Sequence, residues 1–271
     1  MEREKARPVL HCDALYGGGM VAMAELRVYG DLVDFVDGDR TGHVAVPIGA
    51  SRSVKDVVES AGVPHPEIAL LLVDGASVDF GHLIRGGERI AAYPPFHTID
   101  VATVSRVAPP PPASRFVCDV HLGKLARRLR LLGFDTWYRA DADDDELATV
   151  AAASERILLT RDRELLMRRV VTHGYCPRSD DADAQTAEVL DRFGIVDALE
   201  PLSRCARCNG LLRPVDKGNV WELLPPRTRV EHDQFVQCER CAQVYWPGSH
   251  TVRIAEVIAA LRARAQNRRR V

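Results

Sequence analysis

The sequence predicts an α+β unit followed by an α/β unit on a parallel sheet, closed by a four-cysteine metal knuckle. Three observations predict this. Between residues 24 and 96 the apolar pattern gives two strands, a helix and two more strands, whereas between 115 and 192 strand and helix patterns alternate four times. Two CxxC pairs come after them, Cys205/Cys208 and Cys238/Cys241. The chain has 271 residues, 46% of them hydrophobic and 27% charged, enough apolar material for more than one core. No apolar run is long enough to span a bilayer, and no charged-then-apolar leader marks secretion, so no membrane association is expected. Seven cysteines, an odd count that includes both CxxC pairs, favour metal over disulfides. This implies a reducing compartment, and the expected location is the cytoplasm.

Residues 1–21 carry mixed charge and a Gly17-Gly18-Gly19 run, and are expected to be a disordered leader ahead of a native start at Met20 or Met23. Residues 22–104 make the first unit. Glu25-Leu26-Arg27-Val28-Tyr29 alternates as a half-buried strand, and Val44-Ala45-Val46-Pro47-Ile48 is the second. Ser53 is placed as an N-cap, Val54, Val57, Val58 and Ala61 share one helical face, and Gly62 stops the helix. Residues 69–73 are an apolar strand closed by Asp74-Gly75, and Arg89-Ile90-Ala91-Ala92-Tyr93 is the last. The β-β-α-β-β order resembles the ubiquitin-like β-grasp, especially small sulfur-carrier proteins. Those carriers end in a flexible Gly-Gly; here the strand runs into Tyr93-Pro94-Pro95-Phe96 and the chain continues. A docking role for a protein partner, or contact with RNA, is therefore expected in place of sulfur-carrier chemistry.

Pro109-Pro110-Pro111-Pro112 cannot donate backbone hydrogen bonds and prefers an extended conformation, so residues 105–114 read as a semi-rigid linker. The second unit spans 115–200. Its strands are expected at 115–119, 135–138, 156–160 and Val170-Val171-Thr172, and its helices at 122–132, 144–154, 162–169 and 184–193. Such alternation means a parallel sheet covered on both faces, a three-layer arrangement. Residues 201–251 carry the two CxxC pairs, and 252–271 form a helix ending in Arg268-Arg269-Arg270.

Three acids fall where parallel strands end. Asp119 ends the first strand, Asp144 begins the helix after the second, and Asp162 comes just after the third. In open α/β sheets the site forms along that edge. Carboxylates gathered there repel one another and call for a bound cation. Magnesium or manganese, which prefer hard oxygen ligands, would lower the pKa of a water and neutralise a leaving oxygen in phosphodiester hydrolysis. Asp144 and Asp162 also precede helices, where Asp serves equally well as an N-cap. Asp119 has no such duty.

Basic residues accompany the acids. On the first helix Leu122, Leu125, Leu129 and Leu132 share a face, Lys124, Arg127 and Arg128 lie opposite, and Arg130 is near the edge. Lys124, Arg127 and Arg128, with Arg161, which precedes Asp162, are expected to hold a nucleic-acid backbone, although a solvated charged face would look the same. Residues 22–105 hold 6 basic against 12 acidic side chains, and 106–271 hold 27 against 23. The basic bias therefore sits in the second half. Cys205, Cys208, Cys238 and Cys241 offer four thiolates to a tetrahedral zinc ion, a closed and structural site, with Asn209-Gly210 permitting the tight turn. A redox pair is the alternative.

Together these stretches resemble the Mut-seven C-terminal RNase domain family. The resemblance rests on Phe116-Val117-Cys118-Asp119 with Leu122-Gly123-Lys124-Leu125 and its continuation to Thr136, then on Asp144-Asp145-Glu146-Leu147 and Arg156-Ile157-Leu158-Leu159-Thr160-Arg161-Asp162. Arg204-Cys205 with Cys208-Asn209-Gly210, and Val244-Tyr245-Trp246-Pro247-Gly248-Ser249-His250, complete it. It implies an α/β PIN-like nuclease fold with a zinc ribbon, and a ubiquitin-like N-terminal companion. It further implies metal-dependent RNA cleavage with Asp119, Asp144 and Asp162 as ligands and a fourth acid among Asp180, Asp181 and Asp183. The rival expectation is a non-catalytic RNA- or ribosome-binding zinc-ribbon protein.

Overall fold

The structure, a computed structural model, describes residues 21–37, 40–96, 99–107 and 114–248, together with 259, 262 and 263. The expected leader up to residue 20, the four-proline run and most of the C-terminal helix lie outside those residues. No helix among the described residues is long and apolar enough to cross a membrane.

The N-terminal unit contains β1 (Ala22–Val28), β2 (His43–Ile48), β3 (Arg52–Ser53), α1 (Val54–Ser60), β4 (Leu70–Val73), β5 (Ala76–Ser77), β6 (Leu83–Ile84) and β7 (Arg89–Tyr93). Its five-stranded sheet runs β2-β1-β7-β4-β5, with β1 and β7 parallel and the other neighbours antiparallel. Alternation puts Ala24, Leu26 and Val28 inside, in one core with Val54, Val57 and Val58 of α1. Ser53 caps α1 as expected: its Oγ accepts from Asp56 N–H at 3.1 Å. The two-residue strands β3, β5 and β6 are too short to show a period.

The second unit contains β8 (Phe116–Cys118), α2 (Gly123–Leu131), β9 (Thr136–Trp137), α3 (Asp144–Ala153), β10 (Ile157–Leu159), α4 (Arg163–Leu166), β11 (Gly174–Tyr175) and α5 (Ala182–Arg192). Its four strands are all parallel, in the order β11-β10-β8-β9. The fourth strand is not the expected Val170-Val171-Thr172. That triplet is β-branched, yet Val171 N–H donates to Arg168 O at 3.0 Å and closes a turn, leaving Val170 53% exposed. The strand begins at Gly174, where a side chain would not fit: an added Cβ would lie 2.5 Å from Leu166 Cδ2. Cysteine-bearing residues then form a three-stranded antiparallel sheet of β12 (Leu212–Val215), β13 (Phe235–Cys238) and β14 (Val244–Tyr245), with short helices α6 (Lys217–Val220) and α7 (Pro226–Glu231) between the first two strands.

The central sheet is buried on both faces, as parallel sheets require. Phe116, Cys118, Ile157 and Leu159 pack on Leu125, Leu129, Val189 and Leu190 of α2 and α5. Val117 and Leu158 face the other way, into a cluster that continues through Leu165, Leu166 and Val171 to the core of the N-terminal unit. Polar contacts line the same seam: Arg163 Nη1 donates to Phe35 O at 2.9 Å, and His65 Nε2 lies 2.8 Å from Val171 O. Both outer edges of the sheet meet side chains from other units. Thr136 N–H on β9 donates to Asn209 Oδ1 at 3.1 Å, and Cys176 N–H just past β11 donates to Glu67 Oε1 at 2.7 Å. Because one core crosses the seam, the N-terminal and central units are expected to unfold together, in a single calorimetric transition; two resolved midpoints would show the seam to be weaker than its contacts imply.

Candidate active site and cysteine cluster

Asp119 leaves β8 at the carboxyl edge of the sheet. Its N–H donates to Leu159 O at 3.0 Å, extending the ladder by one residue, and its side chain is buried at 7% exposure. The carboxylate accepts from Thr160 Oγ1 at 2.6 Å. Thr160, fully buried at the end of β10, is also the acceptor for Asp162 N–H at 2.9 Å. One hydroxyl thus ties Asp119 to the backbone of Asp162. Asp162 caps α4, with Oδ1 accepting from Glu164 N–H at 2.8 Å and Leu165 N–H at 3.1 Å. Sequence reasoning alone does not single out Thr160; the signal that could find it is a hydroxyl at the end of an apolar strand, two residues before an acid.

Asp144 stands apart. It occupies the first turn of α3, but the cap is Asp143, whose Oδ1 accepts from Glu146 N–H at 2.8 Å. Asp144 lies 3.6 Å from Arg168 Nη2, and Asp145 pairs with the same arginine. Among the described residues, the four cysteines are the group of three or more potential ligands whose donor atoms all fall within 4.8 Å; Asp119, Asp144 and Asp162 do not reach that closeness as a set. Of the remaining acids, Asp181 caps α5 and Asp183 pairs with Arg128 at 2.7 Å. Asp180 is exposed, pairs with Arg161 and lines a cavity of about 390 Å³ with His121, Lys124, Arg127 and Gln185.

The basic residues separate in the same way. Lys124 and Arg127 are on the cavity wall, and neither has an acidic partner among the described residues, whereas Arg128 and Arg161 are each held by an aspartate. Arg130, placed near the solvent edge by periodicity, is 4% exposed. It donates from Nε to Thr136 O at 2.8 Å and from Nη1 to Ala206 O and Arg207 O at 3.2 Å each, so it clamps the first cysteine knuckle to the sheet.

In the cysteine cluster, Cys205 and Cys241 sulfurs are 3.6 Å apart and those of Cys208 and Cys238 are 3.4 Å apart. An ion about 2.3 Å from each sulfur in a tetrahedron sets the sulfurs about 3.8 Å apart, so the cluster fits zinc. The turn is built for sulfur: a Cβ at Gly210 would lie 3.0 Å from Cys238 Sγ and 3.4 Å from Cys208 Sγ. Burial opposes a Cys205 thiolate, yet hydrogen bonds from the Tyr245 hydroxyl and the backbone of Cys208 and Arg207 bring the thiol down to about 7. Asn209, in the left-handed region at φ 64°, donates from Nδ2 to Asp135 Oδ1 at 2.7 Å. Burial would raise the Asp135 carboxyl, but hydrogen bonds from Arg156 and Asn209 hold it below the usual range. Removing the shared hydroxyl at the acidic edge, Thr160→Val, leaves a buried carboxylate without its donor. It should cost about 1–3 kcal/mol in urea unfolding; a loss below a few tenths would mean that the hydroxyl does not hold Asp119.

Comparison with known proteins agrees with this architecture. The Mut7-C RNAse domain family matches residues 114–258, and the Mut7-C ubiquitin family matches residues 21–100. The human protein called "Exonuclease mut-7 homolog" is 36% identical over 119 residues, which cover 41% of this chain and 14% of that protein. The chain therefore spans about a seventh of the length of that relative. No solved structure matches it significantly. A ubiquitin-like unit joined to a parallel sheet with an acidic carboxyl edge and a four-cysteine turn is thus a two-part arrangement, and the chain belongs to the Mut7-C RNase domain family, with a Mut7-C ubiquitin-like domain ahead of it.

Proposed function

We propose that the chain is a metal-dependent ribonuclease with a PIN-like nuclease domain, in which Asp119, Asp144 and Asp162 hold magnesium or manganese and Asp180 serves as the fourth acid. The observation that carries this reading is a missing charge. Asp180, Asp183, Asp144 and Asp145 each lie beside an arginine, whereas among the described residues the buried Asp119 has no basic partner, and neither has its exposed neighbour Asp162. A carboxylate taken out of water calls for a cation, and a hard divalent ion at the carboxyl edge of the sheet supplies one. Asp162 spends Oδ1 on its two capping bonds, which leaves Oδ2 for a ligand. The Asp144–Arg168 contact is exposed and contributes little, so a divalent ion can displace it.

When bound, such an ion supplies an acidified water and neutralises the leaving oxygen. The chain's own residues do the rest. Thr160 fixes the orientation of Asp119, and Lys124 and Arg127 present unpaired positive charge to RNA phosphates along the cavity wall. The cysteine cluster, with four ligands and no open position, is read as a structural zinc ribbon. The expected setting is the cytoplasm, with RNA as the partner and substrate.

A second reading, a non-catalytic RNA-binding module, draws on the same structure: Asp162 is a helix cap, and the three acids are not gathered within ligand distance of one another. Labelled RNA with added Mn²⁺ or Mg²⁺ separates the two. Cleavage by the wild-type chain should need the metal and fall at least about 100-fold in Asp119→Asn and Asp162→Asn, both still folded. Salt-sensitive RNA binding without cutting, unaffected by either substitution, would support the binding module instead. For the ribbon, the purified chain should hold one equivalent of zinc, and a strong chelator should lower its melting temperature. Cys208→Ser should lack the zinc and start from that lowered temperature. A metal-free wild type, indifferent to the chelator, would leave the cysteines without this role.

A further inference from the structure

The segment between β11 and α5, residues 176–181, brings Asp180 to the acidic edge, and it is short enough that its position is set by what holds it. Within its own unit Glu188 does so: its carboxylate accepts from Arg178 N–H at 2.7 Å and Ser179 N–H at 3.0 Å, and Gln185 Nε2 donates to Ser179 O at 2.8 Å. The other hold comes from the ubiquitin-like domain. Glu67, with no exposed surface, accepts from Cys176 N–H at 2.7 Å and from Arg178 Nη1 at 3.2 Å, and its second oxygen is 3.1 Å from Arg192 Nη2 on α5. Arg192 Nη2 also donates to Glu67 O at 3.0 Å.

The contact is specific to this segment. The Arg178 guanidinium lies 4.2 Å from the Phe35 ring centroid and 3.8 Å from carboxylate oxygens of both Asp31 and Asp34. Arg178 is therefore turned towards the ubiquitin-like domain and away from the cavity. A flexible tether would need none of this. A buried carboxylate between two arginines is costly to desolvate, so it holds only where both partners stay in place, which suits it to fixing a register.

We propose that Glu67 is a positioning residue for the nuclease site: from the ubiquitin-like domain it fixes residues 176–180 and so sets where Asp180 stands. The ubiquitin-like domain is then one wall of the active site's framework. This rests on the nuclease reading above for its effect on cleavage, but the hold on the segment can be measured without it.

The test uses the full chain with Glu67→Gln, which keeps an oxygen for Cys176 N–H and removes the charge that holds Arg178 and Arg192. Val54→Ala serves as the comparison, because it loosens the core that the two units share while leaving every polar contact of Glu67 with the segment in place. Both are studied below their melting temperatures. Amide hydrogen exchange at 176–181, measured relative to the buried amides of β8 so that a change in global stability cancels, should rise at least about tenfold in Glu67→Gln and stay at the wild-type ratio in Val54→Ala. The Mn²⁺ concentration for half-maximal cleavage should rise by a similar factor with the KM for RNA unchanged, and Glu67→Gln should add nothing further in an Asp180→Asn background. Glu67→Asp, which restores the charge, should recover part of both effects. Unchanged exchange at 176–181, or an equal shift of the Mn²⁺ dependence in Val54→Ala, would overturn the proposal. If the wild-type chain cuts no RNA, the nuclease reading fails and the exchange measurement alone decides whether Glu67 holds the segment.

Discussion

Strand β8 has only three residues, and none of them touches water. Phe116 and Cys118 face one core and Val117 the other, so the strand cannot slip by one residue without exchanging the two. That constraint fixes the position of the next residue in the chain. Asp119 must emerge at the carboxyl end of the sheet, and because β10 is held in parallel register with β8, Thr160 must emerge beside it. The 2.6 Å contact between the two is a consequence of strand register rather than of any property of the loops. A polar pair at the end of two apolar strands is how a rigid scaffold delivers chemistry to its edge.

How much of this is legible in the sequence depends on length. Elements of five residues or more with a clear period, such as β1, β2, α1 and α2, stand where their apolar spacing puts them. The order of the elements along the chain and the hydrophobic face of α2 are readable for the same reason. The two-residue strands are not, and β11 escapes a reading by pattern because Val170-Val171-Thr172 has strand chemistry while the strand itself starts at Gly174, where the neighbours leave no room for a side chain. Among the candidate site residues, the place of Asp119 at the end of a buried strand is readable from the sequence. Asp162 is readable as either cap or ligand, and the geometry shows that it is a cap without excluding the other duty. The cap of α3 lies one position earlier than the sequence suggests, since a run of three aspartates offers the turn several equivalent oxygens. Arg130 shows the limit of a helical wheel: a position at the border of a face has its burial decided by the neighbouring unit, here the backbone of the cysteine knuckle.

Charge is distributed economically around the acidic edge. Arginines outside the helix face expected to bind RNA, namely Arg168, Arg178 and Arg192, are occupied by carboxylates of this same chain. Lys124 and Arg127 remain open on the cavity wall. The net negative charge of the N-terminal unit therefore need not repel a polyanion from the site, because part of it, Asp31, Asp34 and Glu67, is directed at Arg178. Short-range pairing matters more here than the sum over the domain.

The hydrogen bonds at the two outer strands have a further meaning. An open sheet leaves rows of backbone donors and acceptors at each side, and a second chain can add to them. Here Asn209 takes the donor of Thr136 on one side and Glu67 takes the donor of Cys176 on the other. Neither residue belongs to the sheet. The cysteine turn and the ubiquitin-like domain thus act as terminators that stop strand addition, and a central unit separated from both would present two bare sides to its neighbours. The two flanking parts in this sense guard the central sheet against aggregation, which gives the chain a reason to keep them in one polypeptide that is independent of any reaction it performs.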